Sequence, residues 1–180
     1  MATAALPFAQ IATECEAEGL TPKNAERIGH ELAKTFGVRE DEVGILRIEK
    51  QNLVFCYPSK LHSVGSIPLN TSTSVAVRTS NSRRAEVINN FAQIKHTSVF
   101  EAVQLSGSGG QAVGGGEKPD RHLHVIQKLM SAPVVGANGT LGVIQISRKG
   151  TSAPSSGADF TPGDLQKLVA AAAALAKCFK

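Results

Sequence analysis

Apolar residues near the start of the chain recur at three- and four-residue steps. Phe8, Ile11, Ala12 and Cys15 share one face of a helix predicted over Pro7–Glu18, and Gly19 ends it. A second helix is predicted from Thr21. Threonine is a good N-cap, and Pro22 fits the first helical position, where its missing N–H would have no partner anyway. Ala25, Ile28, Leu32 and Phe36 form its buried stripe, and Gly37 supplies the left-handed stop. The period then changes to that of strands. Glu42–Glu49 and Leu53–Tyr57 flank Lys50-Gln51-Asn52 as a hairpin, with Leu53, Phe55 and Tyr57 on one face, Val54 and Cys56 on the other, and Pro58 as the stop.

Ile67–Asn70 reads as extended. Thr71 or Thr73 is expected to cap a short helix through Val75, Ala76 and Arg78, and Glu86–Asn89 reads as a short strand. His96–Leu105 looks helical, with Val99, Phe100 and Val103 on one side. Six glycines crowd residues 106–116, and the entropy cost of ordering glycine predicts a mobile loop there. A long strand is expected over His124–Val135, a tight turn at Asn138-Gly139, and a second strand over Leu141–Ser147. On that strand Leu141, Val143, Gln145 and Ser147 face opposite to Gly142, Ile144, Ile146 and Arg148. The last helix begins at the N-cap Thr161, with Pro162 in its first turn and Asp164 three residues on, and runs to about Cys178. Leu165, Leu168, Val169, Ala172, Leu175, Ala176 and Phe179 form its expected apolar stripe beside the run Ala170–Ala174.

The C-terminal third resembles a known family. Met130–Val135, the Asn138-Gly139 turn and Leu141–Ile146 look like the last strands of a GAF domain. Asp159–Leu165 looks like that family's closing "Phe-Thr-x-x-Asp" helix. The motifs cover roughly residues 124–178, and residues 20–123 match in element order. The resemblance implies an α/β fold of the α+β kind, with a central antiparallel sheet, helices on both faces, and the N- and C-terminal helices packed together. The implied organisation is an N-terminal helical extension over 1–20 followed by a single domain over 21–180.

Function follows from the resemblance in the same terms. GAF domains are mostly sensory and dimerisation modules with a small-molecule pocket between the sheet and the middle helices. They take cyclic nucleotides, tetrapyrroles, haem, amino acids or other metabolites. The Asn-Lys…Phe…Asp-Glu pattern of the cyclic-nucleotide group is absent, no cysteine sits where a bilin attaches, and the middle region lacks the cysteine-bearing motifs of the free methionine sulfoxide reductases. The expected function is a non-enzymatic sensory or regulatory module that binds a small molecule and dimerises through its terminal helices. The alternatives are a cysteine-dependent redox enzyme of the free methionine sulfoxide reductase type and a protein-interaction scaffold with a degenerate pocket.

Composition narrows the partners. The 180 residues carry a net charge of +4, seven Phe, one Tyr and no Trp, a poor stacking platform for nucleic acid. No run approaches the ~18 apolar residues of a membrane span. The N-terminus lacks a basic start and an apolar stretch, and three scattered cysteines suit reduced thiols, so a cytoplasmic protein is expected. Residues 1–50 hold six basic and nine acidic side chains, and the remainder thirteen and six. The later excess fits either an anionic partner or solvated surface charge.

Candidate chemistry is sparse. Arg78, Arg83, Arg84, Lys95 and His96 border the implied pocket, where an arginine fork or helix N–H groups suit an anion. Phe91, Thr97 and Phe100 either line that pocket or belong to the core. The candidate ligand-binding set is therefore Arg78, Phe91, His96, Thr97 and Phe100. His122 and His124 could start a metal site, but only Asp120 or Glu117 lies nearby as a third ligand, so a solvated strand edge and no metal site are expected, and the sequence names no cofactor. The glycine-rich loop lacks the strand-before and helix-after context of a phosphate loop. No Gly-x-Ser-x-Gly elbow or His-Glu-x-x-His pair occurs. Cys56 is the one candidate nucleophile, against the plain reading of a strand cysteine as a buried apolar residue.

Overall fold

The buried stripe of Phe8, Ile11, Ala12 and Cys15 shapes helix α1, Leu6–Cys15. It ends three residues before the expected Glu18, and Gly19 (φ +74°) turns the chain four residues beyond its end. Helix α2, Pro22–Phe36, has the predicted ends. Thr21 accepts from Asn24 N–H, and Gly37 takes φ +62° while its N–H bonds the last carbonyls. The computed structural model describes residues 6–63, 65–71, 73–93 and 125–179. The helix expected over 96–105, the glycine-rich loop at 106–116 and the histidines 122 and 124 lie outside them.

The sheet has six strands: β1 Val43–Glu49, β2 Asn52–Tyr57, β3 Ser66–Pro68, β4 Glu86–Ile88, β5 Ile126–Gly136 and β6 Gly139–Lys149. Their order is β3-β2-β1-β6-β5-β4, and every neighbouring pair is antiparallel. Helices α1 and α2 and the last helix α4, Pro162–Leu175, cover one face. Helix α3, Val75–Ser82, packs on β5 and β6 from the other. The terminal helices meet directly: Lys177 Nζ donates to Thr13 Oγ1 at 3.1 Å, and the Cys178 thiol lies 3.6 Å from Ala12 O.

Two turns and one face depart from the sequence reading. The β1–β2 turn is only Lys50-Gln51, with φ +47° and +69°, and Asn52 already pairs with Glu49. In the β5–β6 hairpin the loop residues are Ala137-Asn138. Gly136 and Gly139 pair across it, and Gly139 takes φ +135°, so the glycine follows the turn. Tyr57 does not share a face with Leu53 and Phe55. A bulge lets Phe55 and Cys56 stand opposite Leu46 while Tyr57 pairs with Ile45, so Tyr57 crosses to the α2 side. There Gly29 of α2 leaves room for the ring, since a Cβ at Gly29 would lie 2.5 Å from Tyr57 Cε1.

Helix α4 has the expected capping box, in which Thr161 Oγ1 accepts from Asp164 N–H and Asp164 accepts from Thr161 N–H. Its buried stripe is Leu168, Ala171, Ala172 and Leu175, whereas Val169 points outward, 45 % exposed. A 3₁₀ turn, Ala176–Phe179, carries the chain to its end. Phe179 lies under Gly142, where a Cβ would strike Leu46 O at 2.2 Å.

Candidate functional site

The α3 side of the sheet is floored by Leu46, Leu53, Phe55, Ile67, Ile126, Leu129 and Val143, all essentially inaccessible. One cross-strand row breaks this apolar surface. Gly44 of β1, Gln145 of β6, Ser131 of β5 and Glu86 of β4 stand side by side in register. Strand alternation puts Gln145 on the same face as Val143, and Ser131 on the same face as Leu129. Helix α3 lies over the row because Ser74, rather than Thr71 or Thr73, caps it by accepting from Val77 N–H. That start turns Val75, Ala76, Val77 and Thr79 inward.

The polar groups under α3 form a short chain. Thr79 Oγ1 donates to Ser131 Oγ at 2.7 Å, and Gln145 Nε2 donates to the same oxygen at 3.3 Å. Gln145 is 1 % exposed and its Oε1 has no hydrogen-bond partner among the described residues. None of the three was picked out from sequence. The available signal was an amide inside the apolar run Val143-Ile144-Gln145-Ile146 of a strand flanked by other strands.

Of the candidate ligand residues, Arg78 and Phe91 can be placed. Arg78 lines an open groove of about 420 Å³ with Thr71, Val77, Asn81 and Ser82. One edge of its guanidinium is paired: Nε and Nη2 donate to Glu86 Oε1 and Oε2, each at 2.9 Å. This ion pair ties α3 to β4 and occupies the Nε–Nη2 edge of the guanidinium. Phe91 is buried in the α3-side core. His96, Thr97 and Phe100 lie outside the described residues.

A second polar cluster closes the far end of the sheet. Glu42 is buried, and its carboxylate accepts from the backbone N–H groups of Arg39 and Lys149 at 3.0 and 2.7 Å. Lys149 Nζ donates to Asp41 O at 2.7 Å and stands 3.7 Å from its carboxylate. Burial pulls the Lys149 ammonium below its ordinary range, against the opposing pull of Asp41 and Glu42. Burial works to raise Asp41, but Lys149 and Arg39 outweigh it and hold the carboxyl low. Lys128 is buried on β5 and bonds Gly157 O and Asp159 Oδ1. Part of the basic excess of the later sequence is therefore consumed in internal pairs.

The cysteines lie on the opposite side of the sheet. Cys15 and Cys178 belong to the core beneath α1, α2 and α4, and Cys56 packs against that same core. Burial pushes the Cys56 thiol up, with Arg47 opposing. Burial, reinforced by Cys15, pushes Cys178 up to about 11. Among the described residues no group of three or more His, Cys, Asp or Glu side chains is arranged to hold a metal ion. No helix among them is long and apolar enough to cross a membrane.

No family model matches the chain, and no curated protein matches it in sequence. Solved structures do match its fold. The GAF domain of an Acinetobacter phosphoenolpyruvate-protein phosphotransferase superposes with a TM-score of 0.64 at 12 % identity, over 99 % of this chain and 94 % of that one. Residues 122 to 287 of a methyl-accepting chemotaxis protein give 0.61 at 13 % identity, over 93 % of each chain. Free methionine-R-sulfoxide reductase from Neisseria meningitidis, in complex with its substrate, gives 0.60 at 15 % identity, over 96 % and 85 %. With six antiparallel strands between helical layers and these superpositions over nearly the whole chain, the protein has the fold of a GAF domain.

Proposed function

We propose that the protein is a non-enzymatic sensory or regulatory module that binds a small molecule on the α3 side of its sheet and dimerises through its terminal helices. The observation that carries the reading is the separation of polar strip from thiols. The strip Thr79–Ser131–Gln145 lies under α3, whereas Cys15, Cys56 and Cys178 all pack on the other face. A strip of hydrogen-bonding groups in an apolar floor is the usual make-up of a ligand site. A redox enzyme needs a thiolate beside its substrate, and the thiol pKa values raised at Cys56 and Cys178 work against one. The solved neighbours include both GAF domains and a reductase, so the fold supports either class.

Dimerisation draws on the outward face of α4. Val169, Ala170 and Ala173 are exposed there, and small side chains let a second helix approach closely. Gel filtration with light scattering is expected to give twice the 18.8 kDa chain mass, and Ala173→Glu is expected to return the monomer mass. A wild-type monomer at high concentration defeats this part.

One observation favours the scaffold reading. Leu46, Leu53, Phe55, Leu129 and Val143 are all at 0 % exposure and Phe91 at 4 %, as in a face already filled by its own chain. A thermal-shift panel of metabolites separates the two readings. Stabilisation of several degrees by any member supports the ligand module, and none supports the scaffold. Turnover of methionine sulfoxide by wild type that is lost in Cys56→Ser would instead make the protein an enzyme.

A further inference from the structure

Helix α3 leaves Arg78, Asn81 and Ser82 on its outward, exposed face. With Thr71, and with Val77 as floor, they line the open groove of about 420 Å³. The groove is separate from the polar strip beneath the helix, so a ligand here does not depend on that strip being a site. The Arg78 side chain is 46 % exposed, which puts it within reach of solutes. A guanidinium carries five N–H donors. Glu86 takes the Nε–Nη2 edge, and the Nη1–Nη2 edge, with two more parallel donors, has no partner among the described residues. Glu86 also holds the long side chain in one place, so its rotamer freedom is already lost before a ligand arrives.

The rest of the groove fits the same chemistry. Asn81 Nδ2 donates to Leu69 O at 3.1 Å, which fixes the amide orientation and ties the helix to the segment that carries Thr71. Ser82 Oγ accepts from Arg84 N–H at 3.3 Å, which leaves its hydroxyl hydrogen to donate, and the Thr71 hydroxyl adds another donor. The local charge is positive. Residues 71–88 hold Arg78, Arg83 and Arg84 against Glu86 alone, and Arg83 and Arg84 are exposed without an ion pair among the described residues. Such an excess draws anions toward the groove. Two parallel N–H donors match the two oxygens of a planar carboxylate. A phosphate dianion would meet about twice the repulsion from Glu86 on the adjoining edge. We infer that this groove binds a small monocarboxylate, its oxygens on the Nη1–Nη2 edge of Arg78.

The test titrates the full chain, labelled with ¹⁵N, with acetate, acetamide and inorganic phosphate at constant ionic strength. The readout is the backbone amide shifts of Thr71, Val77, Arg78, Asn81 and Ser82. Acetate is expected to move these signals saturably and to bind at least about tenfold more tightly than acetamide, which has its shape without its charge. Arg78→Lys keeps a cation for Glu86 but loses the two-donor edge, and is expected to weaken acetate binding about tenfold. If that variant does not fold, the wild-type comparison of acetate with acetamide decides. Equal binding of acetate and acetamide overturns the inference, as does a preference for phosphate, acetate binding unchanged in Arg78→Lys, or no saturable shift from acetate. Acetate shifts centred on Ser131 and Gln145 instead of the groove also overturn it, and they support the sheet-facing site of the proposed module. The other failures leave that reading untouched.

Discussion

The side-chain amide of Asn89 is paired in both directions with the backbone of Phe160. Its Oδ1 accepts from Phe160 N–H at 2.9 Å, and its Nδ2 donates to Phe160 O at 3.0 Å. This double bond of amide to peptide joins the segment after β4 to the entry of α4, elements 71 residues apart in sequence. The Phe160 ring is buried on the helical side, with the Arg148 guanidinium 4.9 Å from its centroid. Asn89→Ala leaves the N–H and C=O of Phe160 without these part-buried bonds and is expected to cost about 1–3 kcal/mol in urea unfolding. Asn89→Asp keeps the acceptor but sets a carboxylate oxygen against Phe160 O, so at neutral pH its cost should be at least that of alanine. An Asn89→Ala protein within ~0.5 kcal/mol of wild type would show that the clamp is not formed in solution.

Gly29 and Tyr57 give a sharper test, because two effects of one substitution have opposite signs. On an open helix face, Gly→Ala should stabilise by up to about 1 kcal/mol through propensity. At Gly29 the new methyl would sit 2.5 Å from the Tyr57 ring, and overpacking of this kind typically costs about 1–3 kcal/mol. The net effect of Gly29→Ala is expected to be destabilising. In Tyr57→Leu the same change should cost less or stabilise, a coupling that a double-mutant cycle reads directly. Additive effects would place the ring elsewhere.

Alkaline stability follows from Cys178. Its folded pKa of about 11 lies above the ordinary thiol value of 9.0, so the folded state resists losing this proton. The unfolded chain loses it first. Stability is therefore fully present below pH 9 and is lost between pH 9 and about 11, where the folded thiol also ionises. Tyr57, pushed up to about 12 by burial and by Glu40, extends the loss from pH 10 to about 12. Cys178→Ala should flatten the fall between pH 9 and 11 in thermal melts. An unchanged slope would assign the alkaline loss to other groups.

The same residues show what a sequence can and cannot tell. Caps and periodic stripes were legible because each is decided within a few residues: Thr21 with Gly37, Thr161 with Asp164, and the inward faces of α1 and α2. Tyr57 was misplaced because period-two alternation assumes an unbroken ladder, and the bulge at Cys56 arises from pairing with β1. The cap of α3 fell on Ser74 rather than an equally suitable threonine, a choice made by which residues then turn toward β5 and β6. Val169 was assigned to the buried stripe because an alanine-rich helix offers few landmarks, whereas the sheet selected Ala171 and Ala172. At the candidate site the pairings are non-local as well. Nothing near Arg78 in sequence announces that Glu86 will pair with one edge of its guanidinium. Gln145 acquires meaning only once Ser131 and Gly44 are its lateral neighbours.

The reactivity of Cys56 bears most directly on whether the protein is a binding module or a reductase. Thiolates, not thiols, attack sulfoxides and alkylating agents, and activation requires a nearby cation or helix N-terminus to outweigh desolvation. At Cys56 the balance runs the other way. Burial raises the thiol pKa more than Arg47 lowers it, and the Arg47 guanidinium is itself paired with Glu49. The sulfur lies 3.8 Å from Val54 O, an acceptor that favours the protonated form. Cys56 is therefore expected to react with iodoacetamide at pH 7.5 at least about tenfold more slowly than free cysteine, whose pKa is near 8.5. The rate is read by mass spectrometry in a Cys15→Ala, Cys178→Ala background, which removes the two other thiols. Alkylation as fast as free cysteine, or faster, would mean an activated thiolate and would return the reductase reading to first place.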